Sequence, residues 1–264
     1  MEPSFLQRIV DHKHEEVHAA EKKRPLKILK DIAQQHRTKR PFLETLAAID
    51  SPETIHIIAE IKRASPSKGD LCSELDPAKW AKLYEKGGAS ALSVLTDTRY
   101  FKGSIEDFQK ARAVCSLPML RKEFIISEYQ IYESACMEAD AILLIVKILS
   151  LEQLKDFIGL AQQLNMDALV EVYSLEDLEK AKQAGARLIG INNRNLTNFQ
   201  TDNQHAIDMA SHVDASQVLV SASGMNTRAD IDHHLKANIH NFLIGEALVK
   251  SANPIQKLQE LLKK

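Results

Sequence analysis

Short, nearly uninterrupted apolar runs recur along the chain, separated by longer stretches in which apolar residues fall every third or fourth position. The runs are IHIIAEIK (55–62), ALSVLT (91–96), PMLRKEF (118–124), AILLIV (141–146), ALVEV (168–172), LIGINN (188–193), QVLVSAS (217–223) and NFLIG (241–245). Runs of this length, rich in Val, Ile and Leu, read as strands buried on both faces. Between them, DPAKWAKLYEKGGA, SLEQLKDFIGLAQQLN and SLEDLEKAKQAGA carry the period of amphipathic helices, with Ser150 and Ser174 as N-caps and Gly185 as a C-terminal stop. Eight such alternations predict an α/β chain folded as a (β/α)8 TIM barrel. A doubly wound open sheet has the same rhythm, but it wants a glycine-rich turn after its first strand, and RASPSKGD does not supply one.

Ahead of the first strand the pattern is helical and charged. SFLQRIV and LKILKDIA space their apolar residues three and four apart, and Pro25 and Pro41 interrupt them. Residues 1–48 are therefore expected to form an N-terminal helical extension, and 1–264 a single barrel domain that includes it.

Composition narrows the partner. At 44% apolar and 27% charged residues, the chain can build an ordinary globular core. A net charge of −2 and a pI near 6.6 provide no basic field for nucleic acid or acidic membrane, so a small molecule is the expected partner. Three scattered cysteines, Cys72, Cys115 and Cys136, lack metal-ligand spacing, and their odd number argues against a disulfide framework. The first twenty residues mix acids and histidines with no long apolar stretch, so neither a signal peptide nor a membrane span is expected. The chain reads as cytoplasmic, and a monomer is expected.

The polar residues that break the strands sit where a barrel keeps its chemistry, at the C-terminal strand ends. Glu60 and Lys62 close the first, Lys122 the third, Glu171 the fifth, and Asn192 and Arg194 the sixth. Alternation sends Glu60 and Lys62 to one side, which is either a structural ion pair or the mouth of a site. Lys122, flanked by Arg121 and Glu123, reads equally well as a solvated loop lysine, and Asn192 and Asn193 as turn caps. Glu171 lies between Val170 and Val172, which argues against simple exposure.

Two further loops point to an anion. Ser223 and Gly224 precede a helix expected near Asn226, and Gly245 and Glu246 precede a short turn, so the last two strands end as barrel phosphate sites do. The pattern HEEVH (His14–His18) formally fits a zinc helix, but its charged surroundings provide no third ligand and it reads as a solvated face.

IIAEIKRASPSKG, LPMLRKEFIISEYQI, ADAILLIV, LVEV, GINNRNL and SASGM, in that order, resemble the indole-3-glycerol phosphate synthase family over essentially the whole chain. The resemblance implies ring closure of 1-(2-carboxyphenylamino)-1-deoxyribulose 5-phosphate, with loss of carbon dioxide and water and with no cofactor or metal. It implies Lys122 as general acid, Glu171 as general base, Glu60 and Lys62 as a catalytic pair, and Asn192 as a holder of the anthranilate portion. Ser65 and Arg194 fall on substrate contacts, Phe101, Phe124, Leu143 and Leu196 on the apolar surround of the ring, and Ser223, Gly224, Gly245 and Glu246 on the phosphate loops. Two departures stand out: Ala222 replaces the glutamate common between the two serines after strand seven, and Glu246 replaces a serine. A Schiff-base aldolase using Lys122 or Lys62, or a non-catalytic phosphometabolite sensor, would use the same pocket.

Overall fold

The computed structural model describes residues 4–34, 39–195 and 198–263. Its strands are β1 (His56–Ile61), β2 (Ala91–Leu95), β3 (Met119–Lys122), β4 (Ala141–Ile145), β5 (Asp167–Val172), β6 (Leu188–Asn192), β7 (Val218–Ala222) and β8 (Asn241–Ile244). Each pairs in parallel with the next and β8 returns to β1, which closes the eight-stranded barrel. The open-sheet alternative is thereby removed. The strands are apolar almost throughout because both faces are covered. In β1, Ile57, Ala59 and Ile61 join the cluster packed beneath the outer helices, while Ile58 joins the cluster inside the barrel.

Helices α1 (Phe5–Lys23), α2 (Leu26–Ala33) and α3 (Phe42–Ala47) precede the barrel. Pro25 and Pro41, which broke the sequence pattern, stand at the N-caps of α2 and α3. Helix α3 buries Phe42, Leu43 and Leu46 at the N-terminal end of the barrel, where the Leu43 N–H donates to Asp167 at the start of β5. Helix α1 reaches the opposite end.

The outer helices are α4 (Pro77–Gly87), α5 (Ile105–Arg112), α6 (Glu128–Cys136), α7 (Leu151–Gln163), α8 (Leu175–Gln183), α9 (His205–Ala210), α10 (Arg228–Leu235), α11 (Glu246–Val249) and α12 (Pro254–Leu262). Ser150 and Ser174 cap α7 and α8 through reciprocal capping boxes, and Gly185 follows α8 with φ +80°. Helix α10 begins two residues later than the sequence led us to expect. Thr227 is its N-cap, and Asp230 accepts the N–H groups of Asn226 and Thr227, which holds Asn226 outside the helix. Among the described residues, no helix is long and apolar enough to cross a membrane.

Candidate active site

A cavity of about 650 Å³ opens at the C-terminal end of the barrel. Glu60 enters it from β1 and is only 3% exposed, a position that would be costly without partners. It has two. Lys62 Nζ lies 2.5 Å from Glu60 Oε1, and Lys122 Nζ, at the end of β3, lies 3.5 Å from Oε2. Burial alone would raise the carboxyl pKa of Glu60, but the two ammonium groups outweigh it and hold the group below the ordinary glutamate range. Lys122 also approaches Glu171 Oε2 of β5 at 3.8 Å, and Asn192 Nδ2 of β6 donates to Glu171 Oε1 at 3.2 Å. The pattern of interrupted strands thus becomes one line of alternating charge, ending in an amide, across the mouth.

The line continues into the loops. Asn192 Oδ1 accepts the Arg194 N–H at 3.0 Å, and the Arg194 guanidinium reaches Ser67 Oγ at 2.6 Å and Glu246 at 3.6 Å. Ser67 lies in the turn between two short antiparallel segments, Ala64–Ser65 and Gly69–Asp70, so this turn closes one edge of the cavity. Glu246 also binds Lys250 at 2.7 Å. Its partial burial would raise its pKa, but Lys250, Lys68 and Arg194 hold it low, and it remains an anion beside the loop expected to hold one.

Apolar walls complete the space. Phe101 and Phe124 stand with ring centroids 6.1 Å apart, and Leu143 lines the cavity with them. Packed with them, α1 contributes Phe5, Leu6 and Ile9. Ser223, Gly224, Gly245 and Glu246 form the remaining edge. Both glycines are required sterically. Gly224 takes φ +87° and a side chain there would strike Asn203; one at Gly245 would strike the Glu60 carboxylate and come within 3.1 Å of Lys62 Nζ.

The cavity therefore brings together Glu60, Lys62, Ser65, Phe101, Lys122, Phe124, Leu143, Glu171, Asn192, Arg194, Ser223, Gly224, Gly245 and Glu246. Leu196 lies outside the described residues. Ala222, opposite Asn192 in the β6–β7 register, is buried in the barrel interior and puts a methyl group where the sequence comparison expected a carboxylate. Sequence reasoning missed Ser67 and the face of α1; the apolar spacing of SFLQRIV signalled that a face was buried, but not against what. His14 and His18 are exposed on α1, and no cluster of three metal-capable side chains occurs among the described residues. Chemically, the site offers ammonium donors, a carboxylate beside them, a slot lined with aromatic rings and a glycine-bearing edge, which suits proton transfer on an aromatic substrate carrying an anionic tail.

The model of the indole-3-glycerol phosphate synthase family matches residues 6–261. An indole-3-glycerol phosphate synthase of Desulfosudis oleivorans is 51% identical over 258 residues, covering 98% of both chains. One of Carboxydothermus hydrogenoformans is 45% identical, covering 98% of this chain and 99% of its own. Among solved structures, a thiamine phosphate pyrophosphorylase from Pyrococcus furiosus superposes with TM-score 0.59 at 14% identity, covering 80% of this chain and 94% of its own. An N-acetylmannosamine-6-phosphate 2-epimerase from Clostridium perfringens gives TM-score 0.59 at 15% identity, covering 84% and 96%; both likenesses speak to fold alone.

Proposed function

Because the chain belongs to the indole-3-glycerol phosphate synthase family, we propose that its mouth residues divide the ring closure of 1-(2-carboxyphenylamino)-1-deoxyribulose 5-phosphate as follows. The anthranilate ring lies between Phe101, Phe124 and Leu143, and the phosphate sits at the edge formed by Ser223, Gly224 and Gly245. Lys122 donates a proton to the ketone oxygen as the carboxylate-bearing ring carbon attacks the ketone carbon, so the new C–C bond forms without an exposed alkoxide. Loss of carbon dioxide returns its bonding electrons to the ring. The hydroxyl then leaves as water, which needs an acid at the oxygen and a base for the proton released as the indole double bond forms. Glu171 is that base, oriented by Asn192. Glu60 fixes both lysines through its two ion pairs, while Arg194 and Ser65 position the substrate.

The observation that carries this reading is the unbroken line Lys62–Glu60–Lys122–Glu171–Asn192 at one barrel mouth. The line is complete without a residue from a second copy, so the proposed monomeric, single-domain enzyme needs no partner for its chemistry, and three free cysteines fit a cytoplasmic location. The test is incubation with the carboxyphenylamino substrate and detection of indole fluorescence, beside its dephosphorylated form. Fluorescent product from the phosphorylated substrate, with kcat/KM much lower for the dephosphorylated one, is expected. Equal turnover of both would remove the phosphate assignment, and a reduced covalent lysine adduct after borohydride trapping would favour aldolase chemistry.

A further inference from the structure

The face of α1 turned to the barrel carries Leu6, Ile9 and Lys13, so a lysine occupies the third place of an otherwise apolar stripe. Lys13 is 3% exposed. Its ammonium lies 2.8 Å from Asp97 Oδ2 and 3.0 Å from Glu123 Oε1, with Glu16 of its own helix at 2.6 Å. Asp97 and Glu123 are themselves buried, and among the described residues Lys13 is the cation that pairs with either. Burial by itself would depress the Lys13 pKa; Glu123 and Asp97 outweigh it and raise the value above that of an ordinary lysine. Lys13 is thus a cation at any working pH.

The remaining contacts of both carboxylates lead into the active site. Asp97 Oδ1 accepts the N–H groups of Tyr100 at 2.6 Å and Phe101 at 3.1 Å. Glu123 Oε1 accepts the N–H of Phe124 at 2.8 Å, and its Oε2 accepts the Thr96 hydroxyl at 2.8 Å. The Thr96 N–H in turn donates to the carbonyl of Lys122 at 3.1 Å. If α1 needed only adhesion, an apolar residue would supply it without burying three charges. Instead the cluster ties together the two aromatic walls and the backbone of the proton donor.

We propose that Lys13 is a positioning residue: through Asp97 and Glu123 it fixes the Phe101–Phe124 wall and the Lys122 backbone, and so couples α1 to ring closure. The proposal rests on the reading of Lys122 and the aromatic slot given above. A displacement of the reacting ring by about 1 Å costs on the order of 10²-fold in rate, so the loss should appear in kcat more than in KM.

The test measures Lys13→Met, Lys13→Arg and Lys122→Ala in the full chain, each well below its own melting temperature. Lys13→Met is expected to lower kcat by about tenfold or more while KM changes by less than about threefold, and Lys13→Arg, which keeps the cation, to recover most of the loss. A folded Lys13→Met with kcat within about twofold of the parent, whatever its melting temperature, overturns the proposal. If Lys13→Met does not fold, Lys13→Met combined with Glu123→Gln removes one of the two orphaned carboxylate charges and is held to the same two outcomes. The parallel variant separates the readings. An active Lys122→Ala refutes the donor assignment and this proposal with it, whereas an inactive Lys122→Ala beside an active Lys13→Met refutes this proposal alone.

Discussion

Replacing Lys122 by arginine and by methionine separates proton donation from charge stabilisation. The Lys122 ammonium stands 3.5 Å from Glu60 and 3.8 Å from Glu171. At an effective dielectric near 20, each contact is worth a gross attraction of about 4 to 5 kcal/mol, much of it offset by the desolvation of the charges. Arginine keeps that attraction and therefore most of the stability, but a guanidinium whose pKa exceeds about 12 cannot serve as a proton donor near neutrality. Losing a general acid costs roughly 10² to 10⁴ in kcat, equivalent to about 2.7 to 5.5 kcal/mol of barrier. Steady-state kinetics followed by indole fluorescence, with thermal melts on the same samples, should therefore show both variants down at least about 100-fold in kcat with modest KM changes. The melting temperature should fall further in Lys122→Met than in Lys122→Arg. An arginine variant keeping more than about a tenth of kcat would mean that positive charge suffices, and the donor would have to be sought in Lys62.

Glu171→Gln preserves shape and the contact with Asn192 but removes the base, so kcat should drop by about 10²-fold or more with KM nearly unchanged; a rise in KM alone would make Glu171 a binding residue. Gly245→Ala places a methyl group against the Glu60 carboxylate and 3.1 Å from Lys62 Nζ, so kcat/KM should fall about tenfold or more in a folded protein, and unchanged kinetics would contradict the packing of that edge. Glu60 has a folded-state pKa below the ordinary value of 4.5, so its stabilising contribution is present above pH 4.5 and is lost as the pH falls through the folded value. Glu60→Gln should therefore lose less melting temperature than the parent on acidification below pH 4.5, and parallel curves from thermal melts would sink that linkage.

Periodicity, chain breakers and the placement of polar residues at strand ends are local properties, and they were enough for the barrel; for its mouth they offered candidates, among which the family resemblance chose. Burial on both faces writes an apolar run into each strand, and Glu60, Lys62, Lys122, Glu171 and Asn192 are legible because each interrupts such a run at its C-terminal end. Those interruptions could not say which charge meets which. Strand alternation left Glu60 and Lys62 as an ion pair or the mouth of a site, and the family resemblance pointed to the site; in the barrel the pair at 2.5 Å lines the cavity and Lys122 shares the same carboxylate. Ser67 carried no signal of its own in the sequence; it is Arg194, arriving from a distant strand end, that draws it to the cavity. Helix α1 carried a visible apolar face, yet its target was undetermined, and Lys13 lay unremarked within a strongly charged stretch. Only the folding of α1 over the barrel mouth brings that lysine against Asp97 and Glu123, which are remote from it in the chain and buried where an unpartnered charge would be costly. A window of sequence records which faces are hidden from water, whereas the partner that hides them, and the charge that must accompany it, is decided by chain closure in three dimensions.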